Sequence, residues 1–161
     1  MADDVLLNKA ASIERCVRRA REEYERDPAT FADDLTRQDA AILNIQRACE
    51  AALDMGQHLI RRERLGIPQS ARDVFALLAE GGWIGNDLAY ALKRMVGYRN
   101  IAVHEYQALQ LPITVAVITR PWMSFSITRK RFCSVIRTRA RSDNGIATWQ
   151  LTSTHVGLTF G

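Results

Sequence analysis

The sequence predicts an all-α protein of four or five helices. Two observations carry that reading. Through most of the first 119 residues apolar side chains recur three and four positions apart, the period of a helix face rather than of a strand. Capping and stop residues also bracket each periodic segment. A chain of 161 residues is long enough to bury a helical core as one domain.

The first helix is expected over about 5–26, where Leu6, Ala10, Ile13, Val17, Ala20 and Tyr24 form one stripe and the back face is rich in Arg and Glu. The proline of "RDPAT" disfavours helix at the residue before it and ends the segment. A longer second helix is expected from Thr36, which with Asp39 has the form of a capping box. Ile42, Ile45, Cys49 and Gly56 carry its stripe to about Arg64, where "LGIP" closes it. Ser70 with Asp73 opens a third helix containing Val74, Leu77 and Leu78, and Gly81-Gly82 stops it. Asn86 is expected to cap a fourth, with Leu88, Leu92, Met95 and Val96 inward. "LQLPITVAVIT" is apolar and β-branched and reads either as a strand or as a fifth helix starting at Pro112.

At Arg120 the character of the chain changes. Residues 1–119 hold 15 Lys/Arg against 17 Asp/Glu, a net of −2. Residues 120–161 hold seven basic residues and one acidic residue, a net of +6, with eleven of the seventeen Ser and Thr. No clean period survives there, so 120–161 is read as an atypical, basic, Ser/Thr-rich tail without a regular element. No apolar run approaches the ~18 residues that span a bilayer. The opening "MADDVLLNKA" carries acidic residues where an export signal would be basic, so a cytoplasmic location without membrane attachment is expected. The three cysteines lie far apart with no CxxC pair, and Cys16 and Cys49 fall on apolar helix faces, which points to buried free thiols.

Chemistry is expected at "RNIAVHEY". Arg99 offers a rigid fork of donors that matches phosphate oxygens and stays charged. His104 titrates near neutrality and can pass protons to or from a ribose hydroxyl or a leaving oxygen. Together they form a minimal metal-free kit for cutting RNA, in which the arginine offsets charge that builds on phosphorus. Their spacing sets a geometric condition. Five residues on an ideal helix put the two side chains about 140° apart, so they meet only if the helix breaks near Val103 or if two chains combine across a twofold axis. His58 reads as a helix-surface or partly satisfied histidine, and His155 has no special context.

Arg99-x4-His104-x-Tyr106 at the end of a helical bundle resembles the R-x4-H-x-Y signature of the HepT-like branch of the HEPN superfamily. Asn100, directly after the arginine, fits the same pattern, and "CEAALDMGQHLI", with Glu50 and Asp54, is similar to the family's second helix. The similarity covers about residues 5–119. It implies an up-and-down bundle that forms a homodimer with both motifs lining one cleft. It also implies an RNase toxin that cuts tRNA or mRNA without a metal, with Arg99 and His104 catalytic and Asn100 and Glu50 supporting. The implied partner is an MntA-like nucleotidyltransferase antitoxin that uses ATP and Mg²⁺ to transfer AMP onto Tyr106. A non-catalytic HEPN module, docked on such a transferase and modified by it, is the alternative.

The tail departs from the family's pattern, which continues with an acidic amphipathic helix. A change of reading frame near Arg120 would produce so abrupt a shift of composition. It predicts that the gene's DNA, read in a neighbouring frame past codon 119, encodes an acidic amphipathic helix. A neighbouring frame that encodes none refutes it.

Overall fold

The computed structural model describes residues 3–104 and 110–119. Among them are five α-helices and one short 3-10 turn, with no strand, so the protein is all-α: α1 Asp4–Glu25, the 3-10 turn Phe31–Asp33, α2 Leu35–Glu63, α3 Ala71–Glu80, α4 Asn86–His104 and α5 Leu111–Thr119. The tail 120–161 lies outside the described residues. The segment around Pro112 is helical, which settles the choice left open by its β-branched sequence.

The helix ends differ from the sequence reading by a residue or two. The cap of α2 is Asp34 rather than Thr36, and its carboxylate accepts from the Arg37 N–H at 3.1 Å. A carboxylate at this position satisfies an orphan donor and complements the helix dipole. At the other end Arg64 adopts a left-handed conformation (φ 54°) and returns its N–H to the Ile60 carbonyl, so α2 stops before "LGIP" begins. Asn86 is the first residue of α4, and the Ala89 N–H bonds back to the Gly85 carbonyl. Ser70 caps α3 as expected, accepting from the Asp73 N–H, and Gly81 ends it.

α1 and α2 run antiparallel and are pinned at both ends by polar anchors. At the first, Arg37 of α2 is buried beneath the end of α1. Its Nε and Nη2 donate to the Glu23 carbonyl, Nη2 also to the Asp27 carbonyl at 3.0 Å, and Nη1 to the Thr30 hydroxyl at 3.2 Å. These carbonyls belong to the last turn of α1 and the loop after it, where no intrahelical donor reaches them. The guanidinium also lies over the Phe31 ring, 5.5 Å from its centre, and Phe31 meets Tyr24 edge-on. At the second anchor Asp3 caps α1 through Oδ1 and receives His58 Nε2 at 2.7 Å and Arg62 at 2.9 Å on Oδ2. Burial alone would raise the Asp3 pKa. The hydrogen bonds from His58, the Leu6 N–H and Arg62 outweigh it and hold the carboxyl below its usual value. His58 is thus a partly buried, satisfied histidine that serves the helix pairing.

The core runs along the facing stripes. Leu6, Ile13, Val17 and Ala20 of α1 and Ala41, Ile45, Cys49 and Ala52 of α2 are buried. α3 crosses α2 at Gly56, where an added Cβ would sit 2.5 Å from Val74 Cγ1, so only glycine permits this approach. Val74, Phe75 and Leu78 of α3 and Leu92, Met95 and Val96 of α4 close the other side. α5 lies on α1 and is tied to α4 by a buried hydrogen bond of 3.1 Å between the Tyr98 and Thr114 hydroxyls.

Arg37→Ala should cost about 3 kcal/mol, because it strips several buried carbonyls of their donor while leaving them dry. Urea denaturation followed by circular dichroism should show a lower midpoint, and a variant as stable as wild type would remove Arg37 from this role.

Candidate active site

Arg99 is held where it is by the stripe of α4. Leu92, Met95, Arg99 and Ala102 follow the i, i+3, i+7, i+10 spacing of one helix face, and the three apolar members are buried. Arg99 takes a core position near the end of that face, so its side chain is only 29% exposed. Its guanidinium comes out beside α2, where Nη2 donates to Glu50 Oε1 at 3.3 Å. Nη1 donates to Asn100 Oδ1, also at 3.3 Å. Nε is buried and has no hydrogen-bond partner among the described residues. The fork is thus aimed by two neighbours at long hydrogen-bond distances, with Glu50 itself 46% exposed. A pair this open adds little stability, so its consequence is orientation. An incoming phosphate with two charged oxygens can displace the carboxylate and take the fork.

Cys49 lies directly beneath this pair and is fully buried. Burial pushes its thiol up to about 12, with the Arg99 charge pulling down and Glu50 pushing up. It is a neutral floor to the site and contributes no nucleophile at working pH.

His104 is exposed, and α4 is helical through it without a break at Val103. The kink that would have brought His104 round to Arg99 within one chain is therefore absent. The two side chains leave the helix about 140° apart. Around His104 two apolar side chains stand in the open: Ile101 is 38% and Val103 41% exposed. Ile101 also lines a mostly apolar groove of about 560 Å³ between α4 and α5, with Tyr90, Arg94, Pro112 and Ile113. The sequence signal for this surface is that Ile101 and Val103 are apolar yet lie off the buried Leu92–Met95–Ala102 stripe.

Of the other residues singled out, Glu50 and Asn100 are at the site and Asp54 is not. Asp54 pairs with Lys9 of α1 at 2.6 Å. Tyr106 lies outside the described residues. Among the described residues no three His, Cys, Asp or Glu side chains are placed to hold a metal ion, and no helix is long and apolar enough to cross a membrane.

Known proteins resemble this chain in sequence and fold. The family described as Ribonuclease HepT-like matches residues 13–126. The mRNA nuclease HepT of Shewanella oneidensis is 46% identical over 135 residues, which span 84% of this chain and 98% of the relative. Two solved structures superpose with a TM-score of 0.75 at 45% identity. One is a toxin–antitoxin with AMP-PNP, matched over 84% of this chain and 99% of that one. The other is the tri-AMPylated Shewanella oneidensis HEPN toxin in complex with MNT antitoxin, matched over 85% and 99%.

With its thiol pushed up to about 12, Cys49 should be about one part in 10⁴ thiolate at pH 8. Iodoacetamide applied to the native protein at that pH should leave Cys49 unmodified by peptide mass mapping, and denatured protein should label it. Rapid native labelling would show that the floor of the site is open.

Proposed function

The chain belongs to the HepT-like ribonuclease family, and from that premise we propose that it is the RNase toxin of a toxin–antitoxin pair. It cuts tRNA or mRNA with Arg99 and His104 and is switched off by AMPylation of Tyr106. Residues 1–119 form the catalytic domain and 120–161 an appended basic segment. The observation that carries the reading is Arg99 itself: a charged fork set in a core stripe, aimed by Glu50 and Asn100 at a position open to phosphate. A scaffold has no use for a cation so placed.

Cleavage needs no metal in this reading. The ribose 2′-oxygen attacks the adjacent phosphorus as its proton is removed, and the 5′-oxygen leaves as it gains a proton, giving a 2′,3′-cyclic phosphate. His104 moves these protons and Arg99 neutralises the charge on the non-bridging oxygens. One chain does not put both groups on one face, because α4 stays helical through His104. A homodimer resolves this, since a twofold axis brings one chain's Arg99 toward the other's His104 and gives Ile101 and Val103 cover.

The partner is an MntA-like nucleotidyltransferase working in the same cytoplasm. With ATP and Mg²⁺ it joins the Tyr106 phenol oxygen to the α-phosphorus and releases pyrophosphate. The added phosphate, two residues from His104 in sequence, repels the RNA backbone and competes for Arg99.

The purified protein should cleave RNA in the presence of EDTA, and His104→Ala should lower the rate by about 10²–10⁴-fold. An unchanged rate sinks the nuclease reading. Arg99→Ala and His104→Ala chains, each inactive alone, should on mixing regain about a quarter of wild-type activity, since half of the dimers are mixed and each mixed dimer holds one intact site. No recovery would mean that both groups act within one chain.

A further inference from the structure

A second basic surface lies away from Arg99, on the face where α1 and α2 meet. Arg15, Arg18 and Arg19 of α1 and Arg47 of α2 line a groove of about 650 Å³, together with a single acidic residue, Glu22. Four positive charges against one are gathered here in a body, residues 1–119, whose net charge is −2. The acid does little to neutralise them. Glu22 reaches Arg18 only at 3.8 Å and Arg19 at 3.5 Å, and these side chains are about half exposed or more. Arg19 is paired instead with the buried Glu23 at 2.8 Å, so Arg15, Arg18 and Arg47 supply most of the uncompensated charge of the groove. Arg15 and Arg47 are both exposed and make no ion pair among the described residues. The field they set up is felt in the groove. The Cys16 thiol, raised by burial, is pulled back by Arg47 first and Arg15 second.

The groove leads to the active site. Arg47 and Glu50 are three residues apart on the exposed face of α2, neighbours across one turn. Glu50 in turn holds Arg99. The basic surface therefore runs from α1 over Arg47 to the catalytic arginine. Its lining contains no aromatic ring on which a base could stack, and Ser12 and Asn44 add only small polar groups. Arginine forks one helical turn apart, without stacking platforms, suit a phosphate chain rather than base edges.

We propose that the Arg15–Arg18–Arg19–Arg47 groove is a track for the RNA backbone that leads the strand to Arg99. It rests on the RNase reading above and adds where the substrate outside the cleaved bond is held. Contact is sequence-independent and salt-dependent. The track sets affinity for longer strands, while Arg99 and His104 set the chemistry.

The test is fluorescence anisotropy with a labelled single strand of 2′-O-methyl RNA, which binds but has no nucleophile, titrated over a salt series. Arg15→Ala/Arg47→Ala should weaken binding about tenfold and flatten the slope of log affinity against log salt by about 1.4, the release expected for two phosphate contacts on a single strand. Arg15→Lys/Arg47→Lys should keep the slope, and Arg15→Gln/Arg47→Gln should behave as the alanine pair if alanine impairs folding by circular dichroism. Arg26→Ala/Arg61→Ala removes the same charge from exposed positions off the groove and should leave affinity within twofold. An unchanged slope in the Arg15/Arg47 variants overturns the track, as does an equal loss in the Arg26/Arg61 control. So does a loss confined to binding of the nucleotidyltransferase, which would make the groove a protein-docking surface. Wild-type cleavage of ordinary RNA is measured alongside. If wild type cleaves and the slope is unmoved, the track alone falls; if wild type neither binds nor cleaves, the RNase reading falls with it.

Discussion

Arg37 closes the open end of α1, and the placement of everything on α2 follows from that closure. A helix end leaves carbonyls without donors, and burying them unpaired is costly. One guanidinium serves the Glu23 and Asp27 carbonyls at once, while Asp3, His58 and Arg62 tie the opposite end. Two anchors at the two ends of an antiparallel pair fix its register as well as its stability. Register then decides neighbours: Lys9 meets Asp54, and Arg15 comes beside Arg47. The same long helix presents Glu50 to α4, so one rigid element carries both the support of Arg99 and the basic groove.

The second constraint is the helical period itself. Arg99 lies on the buried stripe of α4 and is held firmly for that reason; His104, five residues on, cannot share the stripe while the helix continues. The fold thus holds Arg99 firmly and leaves His104 exposed, amid apolar side chains that call for cover. A site divided in this way is inactive in an isolated chain on the proposed reading. It also leaves the histidine side open to a modifying enzyme.

Much of the fold was legible because helix signals are local. The stripes of α1, α2 and α4 and the Ser70 cap of α3 are patterns within a few residues, and the structure keeps them. The Thr36–Asp39 reading missed because Asp34, two residues earlier, offers the stronger acceptor to a helix N-terminus. The partners of His58 and Arg37 lie 55 and 14 residues away in sequence, so the identity of those partners is not legible locally. No local pattern encodes such a partner.

By itself the sequence determined the helices and the all-α class and marked Arg99 and His104 as the candidate pair, because period, caps and the Arg99–His104–Tyr106 spacing are carried in short stretches of chain. Only the tertiary structure decided that Arg99 leans on Glu50 over a buried, neutral Cys49, that α4 passes His104 without a kink, and that four arginines from two helices share one groove. Those facts depend on which helix faces meet and in what register. That is settled by packing and by long-range hydrogen bonds, which one-dimensional spacing does not contain.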